Sequence, residues 1–146
     1  VKLLFNLVKP DHVFFGEKDY QQLKLIQKII ENNNLSICIH PCVSIRMQNG
    51  MSFSSRYSNF NSSQKKIFKE SAMIIMNNLN KLRKKIDPIY LESIKTELTK
   101  ININKIDYVE TRDEVDLLPT FKNNSARLFV AYYIDNIRII DNFILY

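Results

Sequence analysis

The segment "FGEKDYQQL", residues 15–23, sets Gly16, Lys18, two carboxylates (Glu17, Asp19) and the amide of Gln22 close together. This set suits an anionic, phosphate-bearing ligand. A glycine at a strand end lets another group approach the backbone, because no Cβ stands in the way. Amides at a following helix start favour anions, and Lys18 can bring an ammonium to phosphate oxygens as a mobile point charge. Asp19 is placed to cap the helix or to orient Lys18, and Gln22 offers a donor and an acceptor to a polar substrate. Taken alone, Gly-Glu-Lys-Asp also reads as an ordinary charged turn.

The chain's other glycine, Gly50, opens a second cluster, "GMSFSSRYS". Ser54 and Ser55 supply hydroxyls, and Arg56 can make forked hydrogen bonds to phosphate. By itself this stretch also fits a polar loop followed by a capped helix. Two such clusters in one short chain favour the functional reading, in which a nucleotide phosphate chain is gripped from two sides. A third grouping, Cys38 and Cys42 flanking His40 in "CIHPC", reads as part of a zinc site if His12 supplies a fourth ligand. The same residues fit a short buried strand, "LSICIH", ending at Pro41, with cysteine as a small core residue. The second reading is preferred, so no metal site is expected.

These groups need elements to position them. "HVFFG" is a short apolar run stopped by Gly16, and Asp19 to Asn32 carries Leu23, Ile26 and Ile30 at helical spacing. With "LSICIH" they form a βαβ unit, hence parallel strands and a right-handed crossover. Ligands of such units bind at the carboxyl ends of the strands, where Gly16 falls. Beyond a loop over 41–60, Asn61 to Ser63 can cap a helix with Phe68, Ala72, Ile75, Leu79 and Leu82 on one stripe. Asp87-Pro88 starts a shorter helix with Tyr90 or Leu91, Ile94 and Leu98. "IDYVETRD", "ARLFVAYYI" and "IRIIDNFIL" read as strands, the last two joined by a tight turn at Asp135-Asn136. The expected fold is α/β at the start, followed by a small α+β domain, with domains at 1–45 and 46–146.

Composition narrows the classes. With 146 residues and 45% hydrophobic content, the chain can build one ordinary core or two small lobes. No apolar run approaches the ~20 residues of a spanning helix, so no membrane partner is expected. No signal peptide is visible, and Val1 in first position suggests a fragment or processed product. Two cysteines without a secretory signal make a reducing cytoplasm the default. The net charge of +6 favours polyanions in general. The aromatic and basic spacing of an RNA-binding sheet is missing, and "QKKIFK" and "KLRKK" read as solvated helix faces; no nucleic-acid partner is expected.

"LFNLVKPDHVFFGEKDYQQL", "MQNGMSFSSR" and "RLFVAYYIDNIRIIDN" resemble, in order and at compatible spacing, consecutive signatures of the pantothenate synthetase (pantoate–β-alanine ligase) family. The resemblance covers essentially the whole chain and corresponds to the C-terminal half of the family. It implies the end of a Rossmann-like nucleotide-binding domain of the HIGH superfamily, then an α+β lid domain with an antiparallel sheet. It also implies a reaction: ATP and Mg2+ activate the carboxylate of (R)-pantoate as pantoyl adenylate with release of pyrophosphate. β-Alanine then attacks the mixed anhydride, giving pantothenate and AMP.

By the same resemblance Gly16, Glu17, Lys18, Asp19, Ile45, Phe53, Ser54, Ser55 and Arg56 contact ATP, Gln22 binds pantoate, and the intact protein is a homodimer. Lys18 and Arg56 are the expected catalytic cations. The sequence departs at Phe53, where the family usually has Met or Leu, and at Tyr57, where it usually has Asn. Phe53 should keep an apolar contact, whereas Tyr57 removes an amide and adds bulk. Neither His12 nor His40 lies in a HIGH-type motif, so the isolated chain is expected to be inactive, and a βαβ unit cut from its parent sheet would expose an edge and an apolar face. The alternatives are another nucleotidyl transferase of the superfamily, against which "GEKDYQQL" argues, and a non-catalytic basic remnant.

Overall fold

The computed structural model describes residues 1–146, excepting the side chain of Asn123. The chain divides into two compact units, Val1–Ser44 and Ile45–Tyr146.

The first unit runs α1 (Lys2–Val8), β1 (His12–Gly16), a 3-10 turn (Glu17–Asp19), α2 (Tyr20–Asn32) and β2 (Cys38–Cys42). Strands β1 and β2 pair in parallel, from His12 opposite Cys38 to Gly16 opposite Cys42, so the βαβ unit forms as expected. Apolar spacing sets the packing of α2. Tyr20, Leu23, Ile26 and Ile30 turn inward, and Ile26 and Ile30 meet Phe5, Val13, Phe15 and Ile39. The helix closes where the Asn33 side chain donates to the Ile29 carbonyl at 2.7 Å and Asn34 takes φ 47°, a left-handed setting that asparagine tolerates.

Three features differ from expectation. Helix α1 was not foreseen; it ends at Lys9 in the left-handed region, with the Lys9 N–H on the Phe5 carbonyl, and so lacks the Gly or Asn that usually marks a helix stop. Strand β2 begins at Cys38 rather than Leu35 and runs through Pro41 to Cys42. Proline is tolerated because β2 lies at an edge of this two-stranded sheet, where its missing N–H breaks no ladder on the open side. Neither cysteine is a core residue: both are exposed free thiols. Exposed apolar side chains in this unit include Phe14 on β1 and Leu3 and Leu7 on α1.

The second unit contains α3 (Ser55–Ser58), α4 (Ser62–Lys84), α5 (Pro88–Lys100), β3 (Ile106–Asp113), β4 (Ala126–Ile134) and β5 (Ile137–Ile144). Asn61 caps α4 with a reciprocal pair, its side chain accepting from the Gln64 N–H while the Gln64 side chain accepts from the Asn61 N–H, which satisfies two orphan donors of the first turn. Asp87 caps α5 through the Ile89 N–H, with Pro88 at the first helical position. Strands β3, β4 and β5 form an antiparallel sheet in that order, and Asp135 takes φ 51° in the turn between the last two. Helix α4 packs on β4 and α5 on β3. Phe68, Ala72, Ile75, Leu79 and Leu82 of α4 join Leu91, Ile94 and Leu98 of α5 and Leu128, Val130 and Tyr132 of β4 in one core. Each large apolar side chain buried this way stabilises the unit by about 1.5–3 kcal/mol.

Candidate functional site

In the first unit the chemistry gathers at the carboxyl end of the sheet. β1 ends at Gly16, whose backbone is extended at φ −69° and ψ 133°. A Cβ added there would meet nothing within 4 Å. Neither conformation nor crowding requires a glycine, and the space beside its backbone is open. The 3-10 turn carries Glu17 and Lys18, both half-buried, and exposed Asp19 into α2. Asp19 stands at the N-cap position of α2 but makes no side-chain capping hydrogen bond. Its φ of −95° and ψ of 56° lie outside the extended region that capping aspartates usually adopt. The expected capping role is therefore not taken up. Gln22 is exposed on the first turn of α2.

In the second unit a tight hairpin delivers the other cluster. Arg46 bridges Ser52, the Met47 N–H donates to the Met51 carbonyl at 2.8 Å, and the Phe53 N–H donates to the Ile45 carbonyl at 2.7 Å. Gly50 turns the hairpin at φ 85°. The anchor is Asp141 on β5, whose side chain is almost wholly buried. Its carboxylate accepts the Ser52 N–H at 2.6 Å, the Ser52 hydroxyl at 2.5 Å and the Asn142 N–H at 2.8 Å. Arg46 lies 3.4 Å from the same carboxylate, donates to the carbonyls of Gly50 at 2.9 Å and Asn142 at 2.8 Å, and stacks 4.5 Å above the Phe143 ring. A buried carboxylate is tolerated when cations and donors surround it in this way.

The cluster itself follows directly. Ser54 caps α3, accepting the Arg56 N–H at 3.3 Å. Ile45, Phe53, Ser55 and Arg56 are exposed; Arg56 reaches the Arg138 carbonyl at 3.3 Å. A shallow pocket of about 400 Å3 is lined by Arg56, Asn59, Asn136, Ile137 and Arg138. Arg138 also donates to Asp107 at 2.7 Å, which raises its pKa. Phe53 is 62% exposed. Tyr57 packs its ring against Phe60 and Phe68, with centroids 5.6 and 5.2 Å away, which directs its bulk to the core edge.

Arg46, Ser52, Asp141 and Asn142 were not singled out from sequence. The available signal was an aspartate and an asparagine side by side in the mostly apolar strand "IRIIDNFI". The grouping of His12 with Cys38 and His40, set aside from sequence in favour of a buried strand, lies on the outward face of the parallel sheet, where His12 Nδ1 and His40 Nε2 are 2.9 Å apart.

Comparison with known proteins places the chain. The profile of the family described as "Pantoate-beta-alanine ligase" matches residues 1–144. The chain is 37% identical over 150 residues to the pantothenate synthetase of Clostridium acetobutylicum, a match covering 98% of this chain and 52% of that protein. With the enzyme of Flavobacterium psychrophilum the identity is 32%, over 97% of this chain and 51% of the other. A crystal structure of pantothenate synthetase from Thermus thermophilus superposes with a TM-score of 0.81 at 25% identity, covering 99% of this chain and 53% of that one. The Francisella tularensis ligase, solved in complex with β,γ-ATP and β-alanine, gives 0.74 at 27% identity, over 97% and 46%. The chain belongs to the pantoate–β-alanine ligase family and spans about half the length of the curated relatives it matches.

Proposed function

We propose that this chain is the C-terminal portion of an ATP-dependent, AMP-forming ligase that joins (R)-pantoate to β-alanine. The observation that carries the reading is the pairing of family with chemistry. A chain matched from residue 1 to 144 presents Gly16 to Asp19 at the carboxyl end of a parallel sheet and Ser54 to Arg56 beside a buried carboxylate anchor.

In the first half-reaction a pantoate carboxylate oxygen attacks the α-phosphorus of ATP and pyrophosphate leaves. Charge builds on the phosphate oxygens as phosphorus becomes five-coordinate, and preplaced donors stabilise it there. Lys18 and Arg56 supply positive charge to the triphosphate, and Ser54 and Ser55 donate hydrogen bonds. Gly16 lets the ligand approach the backbone, with Glu17 and Asp19 beside it. Gln22 receives pantoate, and Ile45 and Phe53 give ATP apolar contact. ATP enters as its magnesium complex, which lowers the charge the protein must offset. In the second half-reaction the β-alanine amine attacks the acyl carbon, AMP leaves, and the amine loses its proton. The adenylate must be kept from water meanwhile, a task for the segment after the Asp141-anchored hairpin. Neither step calls for a side-chain nucleophile. The resemblance further implies a homodimer.

Pantoate-dependent exchange of labelled pyrophosphate into ATP, measured on the intact gene product without β-alanine, tests the order of steps. Exchange that requires pantoate supports an adenylate intermediate; exchange that appears only with β-alanine rejects it.

A further inference from the structure

We propose that His12, Cys38 and His40 form a zinc-binding site on the outward face of the parallel sheet. Side chains two residues apart on a strand share a face, and His12 pairs directly with Cys38 while Phe14 pairs with His40. Strand pairing alone thus brings one thiol and two imidazoles together, and their ligand atoms all lie within 4.8 Å of one another. The two imidazole nitrogens are 2.9 Å apart, a few tenths of an ångström from the separation that two zinc–nitrogen bonds of ~2.0–2.1 Å impose in a tetrahedron.

The site is preorganised. Its ligands stand on two paired strands, and the Phe14 ring stacks on His40 with centroids 4.8 Å apart and planes 18° apart. All three side chains are reached from solvent: His12 and Cys38 are exposed and His40 is half-buried. Nitrogen and thiolate donors select zinc over magnesium, which prefers oxygen ligands, so this metal is separate from the one ATP carries. The site sits at the start of β1, four residues before Gly16, or about 13 Å along the strand. Its role is to tie β1 to β2, with water as the fourth ligand. On binding, the Cys38 thiol releases its proton to solvent, and both imidazoles coordinate in their neutral forms. Cys42 lies on the same face, but its thiol is directed to the His40 carbonyl at 3.7 Å.

The test uses the intact gene product, tag-free, reduced and stripped with chelator, then titrated with Zn2+ against a chromophoric competitor and with Co2+ for its spectrum. The expected result is one metal per chain and a thiolate-to-cobalt charge-transfer band. Cys38→Ser should abolish that band, and His40→Ala should weaken zinc binding on the order of 100-fold. Cys42→Ser should change neither. Circular dichroism of the apo variants, matching wild type, separates lost ligation from lost folding. Stoichiometry well below one, or a charge-transfer band that survives Cys38→Ser or vanishes in Cys42→Ser, would overturn the assignment.

Discussion

At Gly16 the backbone is extended and an added Cβ would meet nothing within 4 Å; at Gly50 φ is +85° and an added Cβ would come within 2.5 Å of Met76 Sδ. These are the chain's only two glycines. Gly50 is demanded by the fold, since its conformation is one L-residues rarely adopt and the hairpin it turns is pressed against α4. Gly16 answers to no such demand. In the proposed function the open space beside Gly16, at the carboxyl end of a parallel strand, is where the ligand approaches the backbone. The two regions also differ in how they hold their polar groups. Around Gly16 they stand on a single short turn, whereas around Gly50 they are tied to Asp141, 89 positions away from Ser52.

The largest expected effect tests the ligand side of this contrast. Lys18→Ala in the intact gene product should lower kcat for AMP formation roughly 10²–10³-fold, the scale for losing one preplaced stabiliser of transition-state charge. Next comes the anchor of the other region. Asp141→Ala leaves the Ser52 N–H and hydroxyl without their acceptor and removes a partner of Arg46, so chemical denaturation should report a loss of about 2–4 kcal/mol.

Tyr132 sharpens the fold side. Its phenol is fully buried, and burial raises its pKa well above the ordinary value of 10. The Ser71 hydroxyl donates to the Phe68 carbonyl, so the Tyr132 hydroxyl donates to Ser71 across 2.8 Å. The folded chain keeps this proton after the unfolded chain has lost it. The contribution is therefore complete below about pH 10 and is lost as pH rises beyond it, at about 1.4 kcal/mol per pH unit. Denaturation series at rising alkaline pH should show that slope, and Tyr132→Phe should remove it.

The smallest effects address the glycines themselves. Gly50→Ala should cost about 1–2 kcal/mol through its left-handed backbone, while Gly16→Ala should stay within about 0.5 kcal/mol of wild type in stability and instead raise the KM for ATP. A Gly16→Ala protein with lowered stability and an unchanged KM would erase the distinction.

Much of this was legible in the sequence, for reasons that can be named. The stripe from Phe68 to Leu82, the Asn61 cap, the Asp87-Pro88 start and the turn at Asp135-Asn136 are local signals, and each corresponds to an observed element. Strand β2 is shifted from expectation because proline ordinarily terminates a strand, whereas an edge strand accommodates Pro41. A core setting for Cys38 and Cys42 overlooks that a two-stranded sheet leaves one face outward. Of the site, Gly16 to Asp19 and Ser54 to Arg56 stand out by residue type within short windows. The Arg46–Ser52–Asp141 network does not, because its contacts span 89 to 96 positions and only folding brings them together.

The central proposal is that this chain serves an ATP-dependent ligase and that Lys18 and Arg56 are its catalytic cations. Its most direct test is AMP release from ATP by the intact gene product, with (R)-pantoate and β-alanine supplied together and singly, in wild type, Lys18→Ala and Arg56→Ala. The account predicts release that needs both small substrates and collapses in each variant while folding is retained. Release indifferent to pantoate, or undiminished in both variants, would contradict it.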